Sequence, residues 1–419
     1  VKELVISTDP AFLLRTQISF DVQTRSLLAE KILRQLVARK IQLRDMEYSD
    51  LPQLNHPGLA DQLRPILTNR SLNEFVRASA VNIAESCKVA ELLDDLVTIA
   101  VDRSEKEMLR VEAGHAVYYY GETQHKINLR PLLEHDEDDP YNRLKGYALS
   151  SLWPEHIEAK ELFEKFITID KDPHFHSRYQ SFVSRELVPS MKGRELESLP
   201  YALEWVYNHS SELPFEYHDL KAMVTAILKV ACEHIDDTHV LKKLAPAVWE
   251  NVKNHQPPFG EKVPGGVAPG QLEKSEHRKA LVCAIFKLLE GQDRVLSSRT
   301  ISLSCLVFKD DFDWLLEGLL AATTNEMQEV WSRLLRNAYD FDDGARATTI
   351  YDLRAETLAV AKYFDSFFAP CELDSDAADY ARRQYERENQ PEDTPDGPPP
   401  FNDLVENGLK AWGKGKTDA

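Results

Sequence analysis

Few side chains of this 419-residue sequence are spaced for chemistry, and the clearest set is Cys232-Glu233-His234-Ile235-Asp236-Asp237-Thr238-His239. Cys232 and Asp236, four residues apart, share a face if the segment is helical, and with His239 they have the donor types of a zinc site. The competing reading is a helix C-terminus with Cys232 in the core and the acids in solvent. It is favoured because no second cluster has ligand spacing. Asp172-Pro173-His174-Phe175-His176 carries two histidines at strand-like spacing and reads as a surface turn. The acidic run Asp136-Glu137-Asp138-Asp139 could attract a divalent cation, but such runs are more often solvated turns between helices.

Nucleophiles and nucleotide loops find less support. There is no G-x-S-x-G, and Cys87 follows Ile83-Ala84-Glu85-Ser86 in a helical pattern where a thiol is ordinarily packing. His115, beside Ala113 and Ala116, reads as a satisfied core histidine. Gly408 to Gly415 has the glycine spacing of a phosphate loop but lacks the Ser/Thr for magnesium and the preceding strand. No cofactor is expected. Tyr118, Tyr119 and Tyr120 are the most unusual cluster: on a helix their rings diverge by about 100° each. One is then core and the others lie near a repeat edge, for packing or for recognition.

What positions these residues is a helical pattern. Glycine is scarce, at 16 residues, and apolar residues recur at three- and four-residue spacing. Asp9 followed by Pro10 reads as a helix start, and Leu28, Ile32, Leu33 and Leu36 form one apolar face. Val76-Arg77-Ala78-Ser79-Ala80, Leu109-Arg110-Val111-Glu112-Ala113 and Leu144-Lys145-Gly146-Tyr147-Ala148 share a signature of aliphatic, cation, two variable residues and alanine. Successive copies begin 33 and 35 residues apart. Each follows a shorter apolar segment, at 63–67, 92–97 and 129–133, and a further one occurs at 162–167. A recurring pair of this length predicts stacked helical hairpins. The alanine lets crossing helices approach. Asn69, Asp102 and Asp136 lie eight or nine residues before Arg77, Arg110 and Lys145, so a ladder of ion pairs is expected, with a row of partner-binding cations as the alternative.

The aliphatic-Arg-x-x-Ala helix after an Asp/Asn turn resembles HEAT-type repeats over about residues 60–190. The wider run from Ser7-Thr8-Asp9-Pro10 through His56-Pro57-Gly58-Leu59 to Leu144 through Pro154 is similar to the helical region that follows the nucleotide-binding module of bacterial STAND/NACHT-like NTPases. The resemblance implies a sensor or regulatory segment, in several members serving anti-phage defence, with any ATPase core outside this chain. An opening Val1 instead of Met agrees with a piece of something longer.

The expected architecture is therefore all-α: an N-terminal helical segment (1–58), an α-solenoid of HEAT-like hairpins (59–253), a Pro/Gly-rich linker (254–271), a second helical unit (272–388) and a tail (389–419). In that tail Phe401, Leu404, Val405, Leu409 and Trp412 fall at helical spacing, on a stretch too short to be stable undocked. A net charge of −19 argues against a surface that grips nucleic acid or anionic lipid. Five scattered cysteines without C-x-x-C read as reduced thiols, and no apolar run suits a membrane span, so a cytoplasmic protein is expected. The expected function is non-catalytic binding of a protein partner or of other domains of a larger chain. The alternatives are a helical metal-dependent enzyme and a nucleic-acid-binding repeat protein using Arg77, Arg110 and Lys145.

Overall fold

In the computed structural model, residues 9–15, 18–43, 46–134, 137–168, 177–213, 217–254, 259, 270–289, 306–339, 344–356 and 361–368 are described. All regular structure among them is helical, with no strand. The helices are α1 (Pro10–Leu14), α2 (Val22–Val37), α3 (Leu59–Thr68), α4 (Glu74–Ser86), α5 (Leu93–Val101), α6 (Glu107–Tyr120), α7 (Thr123–Ile127), α8 (Arg143–Leu152), α9 (Ala159–Glu161), α10 (Arg178–Ser181), α11 (Glu195–His209), α12 (His218–Glu233), α13 (Thr238–Lys253), α14 (Ser275–Leu288), α15 (Phe312–Ala321), α16 (Asn325–Ala338), α17 (Gly344–Glu356) and α18 (Ala361–Phe368). A 3-10 turn, Tyr48–Leu54, follows α2, and another, Arg130–Leu133, precedes α8. Wider π turns extend α9 (Leu162–Phe166) and α10 (Phe182–Glu186).

The caps show why the helices begin where they do. Asp9 accepts from the Phe12 N–H with Pro10 at the first helical position, and Asp21, Asn73, Asp237 and Thr324 cap α2, α4, α13 and α16 in the same way. On α2, Leu28, Ile32, Leu33 and Leu36 are buried, which is the face read from the sequence.

The helices pair as hairpins: α3 with α4, α5 with α6, Arg130–Leu133 with α8, α11 with α12, α13 with α14, and α15 with α16. Second helices stack in a row, α4 on α6, α6 on α8 and α8 on α10, and the π turn after α10 packs on α12. First helices stack likewise, with α9 on α11 and α11 on α13. Ala80, Ala113 and Ala148 sit buried on α4, α6 and α8, as close approach requires. Gly146 takes this furthest: a Cβ there would lie 2.3 Å from the backbone nitrogen of Tyr179 at the start of α10. Each fully buried leucine or valine of this core stabilises the fold by roughly 1.5–3 kcal/mol.

The chain divides into two compact units, 1–340 and 341–419. The division does not fall at the expected linker. α13, before the expected linker, packs on α14, after it. The second unit contains α17 and α18, packed on one another.

Candidate functional site

Arg77, Arg110 and Lys145, the cations that could have formed a binding row, are 4%, 0% and 6% exposed, so they are structural and offer no charge to a partner. Arg77 donates from Nε to the Leu67 carbonyl at 2.8 Å, and Arg110 from Nε to the Ala100 carbonyl at 3.1 Å. Both carbonyls lie in the last turn of the preceding helix, where acceptors lack intrahelical partners and the helix dipole favours a cation. The motif recurs where the sequence spacing is interrupted. Arg278, fourth residue of α14, donates to the Leu272 carbonyl at 2.8 Å, and Gln328, fourth residue of α16, to the Ala322 carbonyl at 3.0 Å. Lys145 reaches Thr168 Oγ1 at 3.2 Å and lies over the Tyr179 ring.

Among the described residues, Asn69 and Asp102 are not the partners of Arg77 and Arg110. Asn69 and Asp102 accept from the backbone of Ser71 and Ser104, closing Asx turns, and Asp136 lies outside the described residues. Arg77 is instead held by both oxygens of Glu105, at 2.6 and 2.9 Å, in the following hairpin. Arg64 to Asp95 and Arg130 to Glu161 likewise run from one hairpin to the next.

A different set of side chains comes together on the second-helix row. Glu85 of α4 meets His115 of α6, with 3.0 Å between Oε2 and Nδ1. Contrary to expectation, His115 is not a core histidine: its side chain is 39% exposed. The hydrogen bond to Glu85 holds its pKa above the ordinary value, against the opposing effect of burial. The His115 ring packs on Tyr119 and, 5.3 Å between centroids, on Tyr147 of α8. Tyr147 contacts Tyr118, and Arg178 of α10 covers the Tyr118 ring at 4.6 Å. Arg178 Nη2 also donates to Tyr118 Oη (2.9 Å), Ser150 Oγ (2.8 Å) and Glu186 Oε2 (2.8 Å). Four successive hairpins thus contribute to one continuous polar and aromatic strip.

The three tyrosines divide as their angular spread requires. Tyr118 is clamped under Arg178, and Tyr120 is half-buried, donating to the Val89 carbonyl, with burial pushing its pKa up. Tyr119 is 58% exposed, with the Lys88 ammonium 5.7 Å from its ring centre. Near the strip Glu112 of α6 is half-buried, and burial raises its pKa.

The other candidates do not converge. Cys232 is fully buried in α12, Asp236 faces His277 Nε2 at 2.8 Å, and the backbone of His239 donates to Asp237. No group of three His, Cys, Asp or Glu among the described residues is placed to hold a metal ion. Asp139 accepts from the backbone nitrogens of Arg143 (2.8 Å) and Lys145 (3.1 Å) at the start of α8. Cys87 is buried with its thiol pKa pushed up to about 12. Asp172, His174, His176, Phe401, Leu404, Val405, Leu409 and Trp412 lie outside the described residues.

Sequence reasoning missed Glu85, Glu112, Tyr147 and Arg178 as members of one surface. The signal was the repeat register: Asn82 and His115 are 33 residues apart, as are Arg77 and Arg110, so they occupy equivalent helix positions. Among the described residues no helix is long and apolar enough to cross a membrane. No protein-family model and no curated protein matches the chain. A solved structure described as an engineered protein aligns over 85% of this chain and 87% of its own, at 17% identity and a TM-score of 0.23, which carries no argument.

Proposed function

We propose that this chain is a non-catalytic helical-repeat binding module whose second-helix face, around Tyr119, engages a protein partner. The observation that carries the reading is the strip Glu85, His115, Tyr147, Tyr118 and Arg178, assembled from four hairpins beside an exposed tyrosine. Tyrosine and arginine on a rigid scaffold are favoured anchors of protein interfaces. The sequence resemblance extends the proposal to a sensor or regulatory region of a larger STAND/NACHT-like NTPase, with the trigger bound on this face. The binding reading is preferred to a metal enzyme at 232–239 because Cys232 is fully buried and Asp236 is paired with His277, with no group of three metal-ligating side chains among the described residues. The nucleic-acid reading loses its support because its basic row is buried.

The test is photo-crosslinking in the cells that make the protein, with a benzophenone amino acid in place of Tyr119 or, as control, of Asp94 on α5. A discrete polypeptide adduct from position 119, absent from position 94 and lost with Tyr147→Ala, is expected. Equal yields from both positions, or recovery of nucleic acid instead of protein, would refute the reading.

A further inference from the structure

A cavity of about 630 Å³ opens between the end of α2, the Tyr48–Leu54 turn, α4 and α6. Tyr48 and Phe75, 58% and 63% exposed, line it, with Val76 and Met108 as apolar wall. Glu112 also lines it. Asn82, which lines the cavity beside this carboxylate, donates from its amide to Tyr48 Oη at 3.3 Å. Glu112 makes no ion pair among the described residues, and the adjacent Glu85 is committed to His115. Of the described lining residues only Arg39 is cationic, and it is an exposed side chain at the end of α2.

We propose that this cavity receives an arginine or lysine side chain of the protein partner, its head on Glu112 and its stem between Tyr48 and Phe75. The inference rests on the partner-binding reading above and names the chemistry the partner must present. Three features select a cation. Burial, with Glu85 adding to it, raises the Glu112 pKa against the opposing charges of His115 and Arg143, so its lost hydration is only partly offset, and a bound cation adds to that offset. Aromatic rings at the rim attract a cation through their π faces, while the apolar wall suits a methylene stem. The chain's net charge of −19 steers basic partners toward it.

The chain has five methionines, and Met108 is the one lining the cavity, so the intact protein labelled with 13C at the methionine methyls carries its own reporter. The probes are N-acetyl-arginine amide and N-acetyl-lysine amide, with N-acetyl-norleucine amide as the uncharged control. A cationic probe should move the Met108 resonance with a Kd on the order of 1–10 mM. Norleucine amide should bind at least tenfold more weakly. Glu112→Gln should weaken the cationic probe by a similar factor, with the Met191 and Met223 resonances unchanged as the check of fold. Phe75→Ala, which removes a rim ring without touching the carboxylate, should weaken it about three- to fivefold. No Met108 response to either cationic probe, or an equal response to norleucine amide or in Glu112→Gln, overturns the proposal. A crosslink from position 119 alongside a silent Met108 removes the receptor and leaves the partner face. A responsive Met108 with no crosslink removes the partner face and with it the assignment of the cation to a protein.

Discussion

Removing the Asp311 carboxylate should loosen the hairpins on either side of it far more than removing the whole ion pair to which it belongs. Asp311 is fully buried and accepts from Ser275 Oγ (2.5 Å), Arg278 Nε (2.8 Å) and Nη2 (2.9 Å), Trp314 Nε1 (2.9 Å) and the Phe308 backbone nitrogen (2.9 Å). In Asp311→Ala the Arg278 guanidinium, 2% exposed, keeps the carbonyls of Leu272 and Glu273 but only one acid, the largely exposed Asp310. Breaking a buried pair by deleting one partner costs about 3–5 kcal/mol, and the surviving Asp310 contact places this case near the lower end. At about 1.4 kcal/mol per factor of ten, amides of α14 and α15 should lose roughly two orders of magnitude of hydrogen-exchange protection. Arg278→Met combined with Asp311→Leu leaves neither an orphaned charge nor a hole and should recover most of that loss. Exchange by mass spectrometry on peptides covering both helices reads the effect. The reasoning is refuted if Asp311→Ala stays within threefold of wild type, or if the double variant exchanges faster than the single one. Burial alone would raise the Asp311 pKa, but hydrogen bonds from Arg278, Ser275, Phe308 and Trp314 outweigh it and hold it low. Its contribution is therefore complete above the unfolded value near 3.9 and fades as the pH falls below that, in wild type and not in the double variant.

Gly318→Ala should destabilise α15 against α16 by about 1–3 kcal/mol, since its Cβ would lie 2.7 Å from the Trp331 ring; unchanged urea unfolding monitored by tryptophan fluorescence would contradict the packing. Gly146→Ala should cost at least as much, because there the obstacle is the backbone of α10, and a gain in stability from improved helix propensity would show that α8 and α10 are not that close. Glu85→Gln should lower the His115 pKa, followed by NMR of 13C-labelled histidine, and because the folded value is raised, the pair's contribution is present below the unfolded value near 6.5 and lost as the pH rises through the folded one. Cys87 and Cys232, both buried with raised thiol pKa values, should resist iodoacetamide at pH 8 in the folded protein and react once it is unfolded in urea, with modification assigned peptide by peptide.

The hairpin stack was legible because its determinants are local. Apolar spacing defines α2, α4 and α6, and Ala80, Ala113 and Ala148 recur where helices cross. The cations of the ladder were visible too, but their partners were not: Glu105 reaches Arg77 from 28 residues away, a relation that depends on how consecutive hairpins are offset. Arg278 and Gln328 escaped because the long segment between α13 and α14 breaks the period, although the local geometry repeats. The strip around His115 was illegible for another reason. Its members come from four helices at different distances from the helix starts, and a histidine among small residues, Ala113, Gly114 and Ala116, gives the same sequence signal whether its helix face is covered or open. Only the placement of Glu85 and Tyr147 decides between them.

The forward direction of the ion pairs also orders the birth of the fold. Arg77 leaves the ribosome well before Glu105 does, and Arg64 before Asp95, so the nascent hairpin of α3 and α4 waits, with two guanidiniums unanswered, for the next hairpin to be synthesised. Docking of the α5–α6 hairpin then neutralises the one before it, which favours N-to-C growth there and penalises a chain interrupted between these cations and their acids.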